Sequence, residues 1–194
     1  MAADRAAKRR AQRRDMIIAA AEEELAVSGL AGTTLAGVGD RVGLSKGALY
    51  YYVSSRDELL ALVLSVGLED IQAEAAAEAG PDAAPVDELR SFGRAHVRLS
   101  VERPSGQLII GNLDYLAATD ATADLMHEHE AVVRGIVERA VEADQLRPVH
   151  PVVASATFFG AMNTIARTFD PTGDLSLVEM TDAALDLLLG GWCR

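Results

Sequence analysis

An all-α fold is what this sequence predicts: a small trihelical unit at the N-terminus, then a larger helical bundle, about nine helices in all. Three observations carry that expectation. Apolar residues recur at three-to-four spacing in segment after segment. No short alternating Val/Ile/Thr run bounded by turn residues occurs. Gly, Pro and Ser/Thr cap signals fall where the helical periods stop.

Taken in order, residues 1–14 carry Arg5, Lys8, Arg9, Arg10, Arg13 and Arg14 among alanines. They hold too little large apolar surface to bury anything and read as a flexible basic arm. From Asp15 onward Ile17, Ile18, Ala21 and Leu25 trace the buried stripe of a first helix, which Gly29 stops. Thr33 or Thr34 caps a short second helix, Leu35 to Val42, and Gly43 supplies a tight turn. Ser45 caps a third helix running through Lys46, Leu49 and Tyr52.

Ser55-Arg56-Asp57-Glu58 reads as a capping box ahead of Leu59, Leu60, Leu62, Val63 and Leu64. It opens a long helix that runs to about Ala79, where Gly80-Pro81 breaks it. Helical period continues over 86–102, 106–118, 122–145, 151–168 and 176–190. The expected organisation is an arm at 1–14, a trihelical unit at 15–54 and a bundle at 55–194.

The chain has 194 residues and a formal net charge of -11, which alone argues against a nucleic-acid partner. Its distribution reverses the argument: residues 1–56 sum to +3 and residues 57–194 to -14. Cys193 is the only cysteine, so neither a disulfide framework nor a cysteine zinc site is expected, and a frayed tail residue is its ordinary reading. No apolar run is long enough to span a bilayer and no signal-type segment follows the basic N-terminus. A cytoplasmic location, no membrane partner and no cofactor are expected.

The stretch from Thr33 to Val53 carries the functional signal. A helix-turn-helix places its second helix in the DNA major groove while the first braces it, so the turn between them must be tight. Gly43-Leu44-Ser45 meets that need: glycine tolerates positive φ, Leu44 plugs the small core and Ser45 caps the entering helix. Gly47 and Ala48 let the backbone approach closely, Ala48 suits a thymine methyl, and Lys46 suits guanine acceptors. A helix turning 100° per residue cannot aim all of Tyr50, Tyr51 and Tyr52 at DNA, and Tyr52 is expected to be the packed one.

Position by position over residues 14–60, this sequence resembles the TetR family of regulators, most specifically from Thr33 to Val53 and at Ser55-Arg56-Asp57-Glu58-Leu59-Leu60. Gly39 stands where the family usually has alanine, Val53 where it has phenylalanine, and Glu24 where a hydrophobic residue is common. The resemblance implies a homodimeric, ligand-responsive repressor that is not an enzyme and that binds a palindromic double-stranded DNA operator until a small-molecule effector releases it. It assigns DNA contacts to Thr33, Thr34, Ser45, Lys46, Gly47, Ala48, Tyr50, Tyr51 and Arg56. It places the dimer interface on the last two helices, where Phe158, Phe159, Ala161, Met162, Ile165, Leu185, Leu187, Leu188, Leu189 and Trp192 supply apolar surface enough for both a core and a partner face.

Pocket candidates are polar or aromatic residues on apolar helices: Phe92, His96, Asn112, Tyr115, Met126, Phe158, Met162, Asn163 and Arg167, with His127 and His129 straddling a surface-like charged turn. Gly160-Ala161-Met162-Asn163, then Phe169-Asp170-Pro171-Thr172-Gly173 and Leu175-Ser176, resemble TetR-type regulators of fatty-acid and steroid catabolism, a subgroup that responds to acyl-CoA thioesters. Thr168-Phe169 stands where that subgroup has a tryptophan-tyrosine pair, and an antibiotic or other lipophilic effector is equally admissible. The rival classes are a small enzyme and a helical adaptor without DNA binding. His127-Glu128-His129-Glu130 alternates, whereas paired helical metal ligands want i,i+3 or i,i+4 spacing, so no metal site is expected.

Overall fold

The computed structural model describes residues 2–192, except for the side chains of residues 2–4, 6, 7, 46, 104 and 108. Ten helices and no strand occur among the described residues. They are α1 (Ala2–Gly32), α2 (Leu35–Val42), α3 (Lys46–Tyr50), α4 (Arg56–Ala79), α5 (Pro85–Glu102), α6 (Pro104–Gly111), α7 (Leu113–Ala118), α8 (Asp120–Glu142), α9 (Pro151–Thr168) and α10 (Leu177–Gly190).

Local chemistry sets the ends of these helices. Gly29, at φ 67°, interrupts α1, and the Thr33 hydroxyl donates to the Gly29 carbonyl at 2.8 Å. The Thr34 side chain accepts from Gly37 N–H, and Gly43 closes α2 in the left-handed region. The Ser45 hydroxyl caps α3 by accepting from Ala48 N–H.

The structure corrects several expectations. Residues 2–14 continue α1 as helix, because alanine and arginine are strong helix formers and no breaker precedes Gly29. Helix α3 ends at Tyr50, where Tyr52 N–H turns back to the Leu49 carbonyl at 2.8 Å. The capping box at Ser55 is shifted: Ser55 accepts from Glu58 N–H, but the Glu58 carboxylate accepts from the N–H and hydroxyl of Ser54. A complete box stands at Ser176 and Glu179. Segment 106–118 breaks at Asn112 into α6 and α7.

Two hydrophobic cores result. The N-terminal one gathers Ile17, Ala21, Leu25, Val38, Leu49, Val53, Leu59, Leu60 and Val63. The larger one gathers Ile71, Phe92, Val133, Val137, Phe158, Met162, Leu185 and Leu189, among others. Helix α4 contributes to both, its first half to one and its second half to the other.

Of the residues expected on the last two helices to serve both a core and a partner face, Phe158, Phe159, Met162, Ile165, Leu185, Leu189 and Trp192 belong to the bundle's own core. A three-to-four apolar stripe marks burial without saying against which chain. Gly93 lets α5 approach closely, since a Cβ there would lie 2.9 Å from Leu185 Cδ2 and 3.2 Å from Met162 Sδ. Arginines on α5 pair with acids of its neighbours: Arg90 with Asp186 at 2.7 Å, and Arg94 with Asp182 at 2.6 Å and Glu78 at 3.0 Å. These half-exposed pairs fix register more than they stabilise.

Candidate DNA interface and ligand cavity

Helices α2 and α3 meet across Gly43-Leu44, held by Leu44 N–H to the Gly39 carbonyl at 2.9 Å. A Cβ on Gly39 would lie 3.2 Å from the Leu44 carbonyl oxygen, so the residue that departs from the family pattern accommodates the turn. Glu24, buried on α1, accepts from Arg41 Nε of α2 at 2.9 Å and from the Ser28 hydroxyl. The Arg41 bond holds its carboxyl below the usual carboxylate range. A charge where the family favours an apolar residue is thus a brace between two helices.

The outer face of this unit presents Thr34, Ser45, Gly47, Tyr50 and Tyr51, with Ala48 half-buried. Gly47 faces open space. The Lys46 side chain lies outside the described residues. Tyr51 is 68% exposed, whereas Tyr52 packs against the N-terminal core. The Arg10 guanidinium lies 5.5 Å above the Tyr51 ring, and Arg9, Arg10 and Arg13 share an open groove with Tyr51 and Tyr52. The basic stretch, itself helical, is thereby laid beside Tyr51 and Tyr52, just past the end of α3.

Two residues leave the expected set. Thr33 is 1% exposed, with its hydroxyl committed to Gly29. Arg56 turns inward: it donates to the Leu30 carbonyl and to the Tyr115 hydroxyl, which itself donates to Asp57 at 3.2 Å. Arg56 thus joins the head to α7, a contact between positions 59 apart that no local pattern announces.

In the bundle a cavity of about 210 Å³ opens among α4, α5, α6, α7, α8 and α9. Leu64, Leu68, Ile71, Leu99, Ile109, Ile110 and Phe159 make its apolar wall. His96, His129 and Asn163 put polar atoms on it, while Arg103, Asp114 and Glu130 also line it. Arg103 is paired with Asp70 at 2.6 Å and Glu130 with Arg134 at 3.3 Å.

His96 Nε2 lies 2.8 Å from Asn163 Oδ1, and His96 Nδ1 lies 3.3 Å from His129 Nε2. Both imidazoles are pushed down from their ordinary pKa by burial, His129 to about 3 with His96 beside it adding to the effect. Ser105, on the cavity wall, donates to Glu22 of α1 at 2.6 Å.

A model described as "Tetracyclin repressor-like, C-terminal domain" matches residues 82–192, and one described as "Bacterial regulatory proteins, tetR family" matches residues 17–63. The chain belongs to the TetR family. It is a DNA-binding transcriptional regulator and not an enzyme.

Comparison with curated protein sequences gives no match. Among solved structures, FadR from Bacillus subtilis in complex with stearoyl-CoA superposes with a TM-score of 0.77 at 17% identity, covering 91% of this chain and 97% of that one. AibR in complex with isovaleryl coenzyme A and operator DNA gives 0.73 at 20% identity over 91% and 98%. The TetR family regulator PfmR from Thermus thermophilus gives 0.66 at 28% identity over 92% and 99%.

Of the nine pocket candidates, His96, Met126 and Asn163 line the TetR-family protein's cavity. Phe158 and Met162 are core, Phe92 and Arg167 line other clefts, Tyr115 serves the Arg56 link, and Asn112 sits at the α6–α7 break. His129, expected on a surface-like turn, is instead 4% exposed. His129, Val133, Ile136, Val137 and Ala140 form one buried stripe, a helical spacing that outweighs the polar alternation around His127. Among the described residues no cluster of His, Cys, Asp and Glu suits a metal ion.

Proposed function

We propose that this regulator is a repressor that binds a palindromic operator as a homodimer and is released when an effector fills the cavity. The carrying observation is the exposed face formed by Thr34, Ser45, Gly47, Tyr50 and Tyr51, flanked by the basic helix of Arg9, Arg10 and Arg13. Hydroxyls at Thr34, Ser45, Tyr50 and Tyr51 are suited to phosphate, and Lys46, Gly47 and Ala48 to base edges. Residues 15–54 serve as the reading head and 55–194 as the sensing and pairing half. Its place of action is the cytoplasm, and no described helix is long and apolar enough to cross a membrane.

Pairing is supported by an exposed face of α9 that carries Val153, Ala156, Thr157, Gly160 and Thr164 without charge, and by Leu187 of α10, 82% exposed. Release is supported by two links between the cavity side and the head, Ser105 to Glu22 and Tyr115 to Arg56. A ligand favouring one spacing of the two heads shifts the population through such links. Acyl-CoA thioesters are the first effectors to screen, because AibR and FadR were crystallised with them and because of the Gly160-to-Asn163 and Phe169-to-Ser176 patterns.

A gel shift with duplex from the gene's own upstream region, at two salt concentrations with nonspecific competitor, tests the reading. A specific, salt-sensitive shift is expected. Absence of a shift on every genomic fragment would favour an adaptor that no longer binds DNA.

A further inference from the structure

We infer that the cavity selects a small lipophilic molecule through an uncharged hydrogen-bond donor, a hydroxyl or amide N–H, delivered to Nδ1 of His129. The inference deepens the sensing role proposed above and rests on it.

His129 Nδ1 is buried without a hydrogen-bond partner among the described residues, on a side chain that lines the cavity. Buried polar atoms are seldom left so, and an orphan on a cavity-lining side chain points to a ligand group as its partner. The other three ring nitrogens already have partners. With the Asn163 carbonyl oxygen accepting, His96 Nε2 carries the proton and donates at 2.8 Å. His96 Nδ1 is then bare and accepts from His129 Nε2 at 3.3 Å, which leaves His129 Nδ1 with a lone pair. Asn163 thus sets, through two rings, an unpartnered acceptor on a side chain that lines the cavity.

The surroundings fix the rest of the ligand. Phe92 and Phe159 hold the His129 ring, with centroids 5.2 and 5.1 Å away. Burial keeps both imidazoles neutral, and Arg103 is already paired with Asp70, so no free cation awaits a carboxylate among the described lining residues. At about 210 Å³ the space exceeds the roughly 150 Å³ that accepts benzene and falls below the roughly 300 Å³ at which drug-sized sites begin. A short or branched chain or a single substituted ring fits.

Calorimetric titration of the full-length protein with 1-heptanol, methyl hexyl ether and heptanoate separates the contributions, the first two being alike in size and differing in the O–H. Heptanol is expected to bind about tenfold tighter than the ether and the carboxylate, the range of one buried hydrogen bond. In His129→Phe that preference is expected to fall to within about twofold. Nitrogen NMR of labelled histidine should show the His129 Nδ1 resonance moving with heptanol and not with the ether.

Heptanoyl-coenzyme A identifies the source of the donor: tenfold weakening by His129→Phe assigns it to a pantetheine amide, and weakening of heptanol alone assigns it to a free hydroxyl. Equal binding of alcohol and ether, tighter heptanoate, a preference surviving in His129→Phe, or no binding of any probe would overturn the inference. Operator binding, measured separately by gel shift, would still stand. If His129→Phe fails to fold, the alcohol-to-ether ratio and the nitrogen shift of the unaltered protein decide.

Discussion

The reading head and the bundle are built by different rules. In the head, Thr34, Gly43, Ser45 and Ser55 act on backbone groups three or four residues away, and a few apolar side chains close a small core. In the bundle, the cavity draws on six helices, and its polar wall joins His96, His129 and Asn163 from α5, α8 and α9. The head is specified locally and offers its chemistry outward, while the bundle is specified over long range and keeps its chemistry inside.

Truncating each core breaks the comparison most sharply. Phe158→Ala, at 0% exposure, is expected to cost about 3–5 kcal/mol, read as a fall in calorimetric Tm. Leu49→Ala, at 1% exposure, is expected to cost about 2–5 kcal/mol and to abolish the operator shift while leaving ligand binding in place. Loss of both functions from Leu49→Ala would show that the two cores unfold as one. Next in size, Lys46→Ala is expected to weaken operator binding by about 1–3 kcal/mol in a gel shift, relaxing sequence preference at one base pair.

Acid should act on the bundle. His96 and His129 stay neutral when folded and gain a proton near pH 6.5 when unfolded, so the unfolded chain binds more protons below that pH. Stability is expected to fall as pH drops from 6.5, by about 1 kcal/mol per unit for His129, continuing toward about 3, with His96 acting in the same direction. Carboxylates held down by hydrogen bonds, such as Glu58 by Ser54 and Glu179 by Ser176, lose their contribution only below their ordinary 4.5. Urea unfolding at pH 6.5 and 5.0 therefore isolates the histidines, and His129→Phe should flatten the slope. The smallest effect is expected in the head: Gly39→Ala gains helix propensity but meets the Leu44 carbonyl, for a net change within about 0.5 kcal/mol in the same assay.

Legibility in the sequence follows the same division. Helix α2 is readable to the residue, with its N-cap narrowed to Thr33 or Thr34, because Thr34 and Gly43 act on their own neighbours. The helix of the basic stretch is readable in principle from its alanines and arginines, but charge dominates that reading. Sequence reasoning assigns Arg56 to DNA and Tyr115 to the effector, whereas the two bind each other across 59 positions. His96, Met126 and Asn163 stand out as polar or flexible residues on apolar stripes, and the same test applied to the His129, Val133 and Ile136 stripe finds His129. Ser105 and Glu22, 83 positions apart, carry no such signal.

The shared use of α4 has a practical consequence for building chimeric sensors. Recombining this head with a foreign bundle at Ser54-Ser55, the obvious splice, would strip Leu59, Leu60 and Val63 from the head they pack into. Gly67, beyond them and ahead of Ile71, has open space around it and marks a crossover that keeps each of the two core clusters with its own module, Leu64 of the cavity wall travelling with the head. The transplanted head would still lack Tyr115 for Arg56 and Ser105 for Glu22, so both partners need to be grafted with it for the hybrid to respond to its new input.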